Sequence, residues 1–326
     1  MTKVLGMGNA LVDVMTRLND DKVLKEFNLP KGSMQLVTME FSNRLLAGTL
    51  GLQRSQSSGG SASNTIHGLA NLGVETGFVG KIGPDNLGKF FLDDMKKSGI
   101  DPMLFHDLSE TGRSIALISP DSERTMATYL GAAVDLHEED ITSDLFEDFD
   151  YFHVEGYLVQ NEQLIRKALR LAKSHGLTTS IDMASYNVVN EKKSLFRQLV
   201  EEYVDIVFAN EMEAEAFTGK KPKDALKSIA AICDIAVIKI GIKGSLVRKG
   251  TQEIKTGIVE VNSIDTTGAG DLYGSGFLYG LTKGLSISRC AEIGALCGGH
   301  ITEVIGAKMP DEKWDIIKEK IKDIEQ

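Results

Sequence analysis

Two glycines and a carboxylate come together in the stretch DTTGAGDLYG, residues 265–274. Gly268 and Gly270 can take backbone angles closed to other residues and let a ligand approach the main chain. A helix beginning there would point its unpaired N–H groups at whatever lies in front, an arrangement that suits a phosphoryl group. A fixed carboxylate such as Asp271 beside an anion site is repulsive, unless it takes the proton of an attacking hydroxyl. The same residue, or Asp265, could instead cap a helix over residues 271–282. From this segment alone the two roles stand level.

Other stretches carry chemistry of the same kind. In GMGNALVD, residues 6–13, Asn9 and Asp13 follow a strand-like run, at the edge where α/β sheets bind ligands. A carboxylate with an amide nearby suits vicinal hydroxyls; satisfying turn amides is the plainer alternative. The third glycine of a dinucleotide fingerprint is missing. In SSGGSASNTIHGLANLG, residues 57–73, Gly59 and Gly60 would bring backbone close to a ligand, and Asn64 can donate and accept at once. Ser61 there reads as a helix cap. In FANEMEAE, Asn210 and Glu213 open a helix; Glu213 could hold the water shell of Mg²⁺, or simply sit at an acid-rich helix start. In VIKIGIKGS, Lys239, Gly241, Lys243 and Gly244 form a loop on which a nucleotide could lie. The chain has no Walker A loop, so ATP would have to be held without one.

These motifs need a frame. Short buried-type runs at residues 4–8, 77–81, 151–155, 178–182, 205–209 and 235–240 alternate with helical patterns. Leu164, Ala168, Leu171 and Ala172 share one helical face, and Leu87, Phe91 and Met95 another that stops at Ser98 and Gly99. The alternation predicts an α/β fold, a doubly wound and mostly parallel sheet with helices on both faces. Two regions break the rhythm. Residues 11–40 and residues 112–130, the latter two strands about a turn at Pro120, Asp121, Ser122 and Glu123, are expected to build a small β-sheet lid. An antiparallel edge of the main sheet is the alternative. No repeat or long linker divides the chain, so residues 1–326 are expected to form a single domain.

Composition narrows the partners. With 326 residues, 42% of them hydrophobic, the chain has material for a large core. A formal charge of -10 argues against a nucleic acid or an anionic membrane as partner. Three cysteines, Cys233, Cys290 and Cys297, form no metal-type pair and fit a reducing cytoplasm, with Cys290 and Cys297 expected in the core. Six scattered histidines give no transition-metal motif. The first residues do not read as a signal peptide, and no apolar run reaches the length of a membrane span.

Taken in order, GGSASN, GKIGPDNLGKFFLDDMKKSGID, NEMEAE and DTTGAGD resemble the successive motifs of the ribokinase-like (PfkB) family of sugar and nucleoside kinases. The resemblance implies an ATP-dependent phosphotransferase with an alcohol acceptor, using ATP and Mg²⁺. It implies that Asp271 is the base, that the amides around Gly268, Ala269 and Gly270 form the anion hole, and that Asn210 and Glu213 organise Mg²⁺ and phosphates. The loop with Lys239, Gly241 and Gly244 would lie against the nucleotide. Asp265 and the Thr267 carbonyl would fall near the monovalent-cation (K⁺) site of some members. GMGNALVD and KGSMQL resemble the adenosine kinase-like branch, with Asn9, Leu11 and Asp13 on its nucleoside-contacting pattern and Gln35 as its base-facing glutamine; DMASYNV, residues 182–188, departs from that branch. The implied reaction is transfer to a nucleoside, adenosine 5′-OH first, with Asp13 and Asn64 clamping the ribose. A sugar acceptor, a non-catalytic sensor on the same fold and, more remotely, a pyridine-nucleotide oxidoreductase are the alternatives. The resemblance leaves monomer and homodimer open.

Overall fold

The computed structural model describes residues 2–121 and 123–326, so one member of the expected 120–123 turn, Ser122, lies outside the described residues. Among the described residues fourteen strands form: β1 (Lys3–Met7), β2 (Leu11–Arg17), β3 (Met34–Leu36), β4 (Arg54–Gly59), β5 (Glu75–Ile82), β6 (Ile100–His106), β7 (Gly112–Ile118), β8 (Arg124–Tyr129), β9 (Tyr151–Glu155), β10 (Thr178–Asp182), β11 (Ile206–Asn210), β12 (Ile235–Lys239), β13 (Ser245–Lys249) and β14 (Gln252–Thr256). They assemble into a nine-stranded sheet, in the order β14-β13-β12-β11-β10-β9-β1-β5-β6, and a five-stranded sheet, β3-β8-β7-β2-β4.

In the large sheet the pairs from β12 through to β6 are parallel, and β13 and β14 close one edge as an antiparallel hairpin. A parallel sheet covered on both faces demands strands that are apolar on both sides. IVFAN and IAVIK satisfy this with four successive buried residues each. Neighbours within one strand enter different cores: Val4, Phe208 and Val237 pack with the helices Ser61–Asn71, Asn86–Lys97, Ala269–Thr282, Ile287–His300 and Asp311–Glu325. Leu5, Val207 and Ile238 pack with Glu162–Ser174, Lys193–Tyr203, Glu211–Thr218 and Pro222–Ile229. Of the expected helical faces, Leu164, Ala168, Ala172, Phe91 and Met95 are buried. Beyond the six expected runs the sheet gains β6, β13 and β14. β6 escapes a pattern search because it carries Pro102, which an edge strand tolerates.

The smaller sheet draws on β2, β3, β7 and β8 from the two regions that break the rhythm, and corrects their extent by adding β4. Its sequence RSQSSG has no apolar alternation to signal a strand. β4 runs antiparallel to β2 and delivers the chain straight into Gly60 and the helix Ser61–Asn71. One face of the sheet packs Val12, Val14, Ile115, Leu117 and Ala127 into the core with Leu24, Leu29 and Leu45.

The helix Ala269–Thr282 is buried nearly all round, as expected for one enclosed by neighbours. Small residues let those neighbours in. A Cβ on Gly276 would stand 2.8 Å from the Ile293 carbonyl carbon, and one on Gly68 would stand 2.6 Å from Ser275 Cβ and 2.9 Å from Leu272 Cδ1. The Ser275 hydroxyl donates to the Thr65 carbonyl at 2.8 Å across that seam. Gly68→Ala is therefore expected to cost roughly 1–3 kcal/mol by overpacking, read as a lower urea midpoint at unchanged m-value; a wild-type midpoint would show that the helices part without penalty.

Candidate active site

The helix Ala269–Thr282 begins at Gly268, whose φ of 74° is left-handed, and Ala307 packs so close that a Cβ there would stand 2.7 Å from its methyl carbon. Asp271 lies in the first turn but caps nothing: Oδ1 accepts from the Ser61 hydroxyl at 2.7 Å and Oδ2 from Asn64 Nδ2 at 2.9 Å. Burial pushes its carboxyl up to about 6; the donors Asn64 and Ser61 and the charge of Lys239 act the other way, and Asp182 reinforces the rise. Asn64 Oδ1 is buried beside this carboxylate with no partner among the described residues.

Gly60 holds φ at 96° and crosses directly against the Asn9 carbonyl. A Cβ on Gly59 would stand 2.5 Å from Asp13 Oδ2, so the paired glycines leave room for that carboxylate on β2. Burial raises Asp13 to about 6, with Lys308 the strongest opposing charge. Leu11 is buried on β2, opposite Gly59 and Gly112. Asn9 turns inward: its backbone N–H donates to Glu155 Oε1 at 3.1 Å and its Nδ2 to the same oxygen at 2.6 Å, while Oε2 accepts from the Ala62 N–H at 3.0 Å. Glu155 thus clamps both glycine turns from below, and burial lifts its carboxyl to about 7.

Gln35 is a correction. Its register pairs it with Ala127, which pairs with Ile115 and that with Val14, so it lies on the core-facing side. Met34 and Leu36 fall on the other side, in the rows that contain Met126, Ala116 and Met15, and Thr128, Ser114 and Asp13. In a strand a shift of one residue exchanges the faces, and only the pairing decides which applies.

Three strand ends converge on the opposite flank. Asn210, ending β11, and Glu213 form a reciprocal capping box: Asn210 N–H and Nδ2 donate to Glu213 at 2.7 and 2.6 Å, and the Glu213 N–H donates to Asn210 Oδ1 at 2.9 Å. Burial lifts Glu213 to about 7. Lys239, ending β12, donates to Asp182, ending β10, at 2.6 Å, and its Nζ would lie 3.0 Å from a Cβ on Gly270. Burial opposes the Lys239 charge, yet Asp182 and Glu213 together raise its pKa. Gly241 and Gly244 hold φ at 56° and 91° in the turn beyond.

Both carboxylate oxygens of Asp265 are engaged within the chain. Asp265 Oδ2 takes Arg124 Nη2 at 2.5 Å and the Gly306 N–H at 2.7 Å, and Oδ1 takes the Thr267 N–H at 3.1 Å and hydroxyl at 2.9 Å. Arg124 Nη1 also donates to the Thr267 hydroxyl at 2.9 Å. A guanidinium from β8 thus supplies positive charge beside Asp265 and Thr267. Among the described residues no group of three His, Cys, Asp or Glu side chains could cage a metal. The surplus of buried carboxylates over Lys239 fits Mg²⁺ instead, which keeps several waters and leans on substrate phosphates.

The pfkB family carbohydrate kinase model matches residues 45–314. The chain belongs to this family. It is therefore an ATP-dependent phosphotransferase acting on a hydroxyl, and kinases of the pfkB family use ATP and Mg²⁺. It is 34% identical to adenosine kinase from Sinorhizobium meliloti, covering 98% of this chain and 99% of that one at a TM-score of 0.88. A probable sugar kinase from Rhizobium etli is likewise 34% identical over 98% and 99%, at a TM-score of 0.89. The 5-dehydro-2-deoxygluconokinase of Geobacillus thermodenitrificans is 30% identical, over 73% of this chain and 76% of its own.

Sequence reasoning passes over several groups of this pfkB kinase site. Glu155 and Asp182 are the last residues of β9 and β10, and an acid closing an otherwise buried strand is a signal that YFHVE and TTSID both carry. Tyr157, with its phenol pushed up to about 12 by burial and by Glu155, Asp182, Glu213 and Asp271, and Lys308 carry no local signal. Glu155→Ala leaves two backbone N–H groups and the Asn9 amide without acceptors. At about 1 kcal/mol or more per stranded donor, roughly 3 kcal/mol of stability is expected to go, measurable by urea denaturation; a wild-type midpoint would dismiss the clamp.

Proposed function

We propose that this kinase phosphorylates a nucleoside, with adenosine 5′-OH the first acceptor. The observation that carries the reading is the open face of the smaller sheet. Met15, Met34, Ala116, Met126 and Leu36 share the face of Asp13, and Met34 and Leu36 remain 50% and 66% exposed. An apolar platform beside a hydroxyl-binding carboxylate suits a base joined to a sugar better than a sugar hydroxylated all round. The likeness to the Sinorhizobium meliloti adenosine kinase supports it. The second reading, a sugar or sugar-acid acceptor, rests on the likeness to the Geobacillus thermodenitrificans enzyme.

Asp13 and Asn64 bind the ring hydroxyls. Asp271 takes the proton of the reacting hydroxyl as it attacks in line, and Ser61 and Asn64 aim the carboxylate. The N–H groups at Gly268 and Gly270, joined by that of Ala269 when it leaves the Thr266 carbonyl it meets at 3.2 Å, with Lys239 beside them, receive the charge gathering on the transferred phosphoryl group. Asn210 and Glu213 hold the water shell of Mg²⁺, which neutralises the phosphates when bound. The smaller sheet acts as the lid, and Arg124 ties it to the anion loop through Asp265 and Thr267.

An ADP-release assay over adenosine, other nucleosides, ribose, fructose and 5-dehydro-2-deoxygluconate is expected to give adenosine the highest kcat/KM; a preferred sugar or sugar acid would reverse the order of the two readings. Asp271→Asn is expected to retain ATP binding and lose about 10²–10⁴-fold in kcat, and near-normal turnover would remove Asp271 from the chemistry. A base must be ionised to act. With Asp271 and Asp13 both raised to about 6, kcat/KM is expected to fall as pH drops through that value; a profile flat down to pH 5 would contradict both assignments.

A further inference from the structure

Lys308 follows Gly306 and Ala307 on a loop that the anion site holds in place: the Gly306 N–H donates to Asp265 at 2.7 Å, and Ala307 packs on Gly268. On its other side the loop touches the smaller sheet, where Met15 Sδ would lie 2.9 Å from a Cβ on Gly306. The side chain at 308 is thus delivered between the phosphoryl-binding turn and the acceptor platform.

Its amine is shut off from solvent and has no hydrogen-bond partner among the described residues. A protonated amine carries three donors, and burying them unpaired is costly. Burial accordingly draws Lys308 down to about 7, against Asp94, Asp13 and Asp271, and its own charge presses on His67. Two of the three carboxylates whose charge acts on it already have side-chain partners: Asp94 Oδ2 accepts from Ser58, and Ser58 in turn bonds His67 Nε2 at 3.0 Å. Asp271 is occupied by Ser61 and Asn64. Asp13 remains. Lys308 is the strongest charge acting on it, yet no ion pair joins the two among the described residues. Beside Asp271, Asn64 Oδ1 is the complementary case, a buried acceptor without a donor.

We propose that Lys308 completes the acceptor clamp, donating to the oxygen of a ring hydroxyl whose proton goes to Asp13. A hydroxyl donates once and accepts as well, so one hydroxyl can satisfy both residues. Lys308 thereby makes the enzyme selective for acceptors that keep that hydroxyl. The proposal rests on the reading of the cleft as a site for a hydroxylated ring.

The test uses Lys308→Met, which keeps the length and removes the donors, with adenosine, 2′-deoxyadenosine and 3′-deoxyadenosine as acceptors. Wild-type turnover of adenosine checks the nucleoside reading separately; if adenosine is inert, ribose and 2-deoxyribose take its place. The wild type is expected to discriminate against one deoxy analogue. Lys308→Met is expected to lose roughly 10- to 100-fold in kcat/KM on the fully hydroxylated acceptor, mostly through KM. It should lose little on that deoxy analogue, so the discrimination collapses. Its melting temperature should equal or exceed that of the wild type, because an unpaired buried amine is replaced by an apolar side chain. An equal loss on every acceptor, an unchanged kcat/KM, or a lower melting temperature with discrimination intact would each overturn the proposal.

Discussion

The seam between the helices Ser61–Asn71 and Ala269–Thr282 is the constraint on which the rest of the structure depends. Their first turns lie 210 residues apart in the chain, yet Asp271 takes both of its side-chain hydrogen bonds from the other helix. Such closeness requires glycine at 68, where any side chain would strike Ser275. Loss of that approach would separate the carboxylate from the amide that aims it, and the acceptor turn from the anion turn. Packing and catalysis therefore share one interface, and a volume change of a single methyl group bears on both.

The electrostatics follow from the same crowding. Asp13, Glu155, Glu213 and Asp271 are each raised by burial, and Lys239 donates to Asp182 within the same cluster. Isolated carboxylates in an interior are costly, and they persist where donors or cations compensate them. Glu155 has its compensation built in, with three N–H donors, and so its role is to hold the glycine turns. Asp271 has only two side-chain donors, which orient it without neutralising it. That difference separates a structural acid from one that can exchange a proton.

Much of this was legible in the residues. Close-set glycines mark turns whose backbone must approach something, and Gly60 and Gly268 both adopt positive φ angles. An acid-rich helix start is equally visible, and Asn210 with Glu213 shows that the capping alternative and the site alternative coexist in one pair of side chains. Gln35 was misread for a definite reason. The face that a strand residue presents depends on its pairing with β8, and no local pattern in KGSMQL reveals that register. β4 was invisible because it pairs with β2 through the backbone, without the apolar alternation that betrays a half-buried strand. Lys308 could not be found from sequence at all, since its meaning lies in having no partner.

Arg124 explains why the smaller sheet cannot be treated as an appendage. It leaves β8 and bonds both Asp265 and Thr267, the two residues that lead into Gly268. Asp265 also fastens Gly306, and Ala307 behind it packs on Gly268, so one carboxylate gathers the sheet, the anion turn and the loop of Lys308. Moving the sheet away would leave a buried carboxylate without its guanidinium, a change that buried pairs resist. Because the Thr267 hydroxyl is shared between Arg124 and Asp265, the same movement would loosen the turn that leads into Gly268. The sheet and the turn at Gly268 are thus fastened through the same two residues, and neither shifts without disturbing the other.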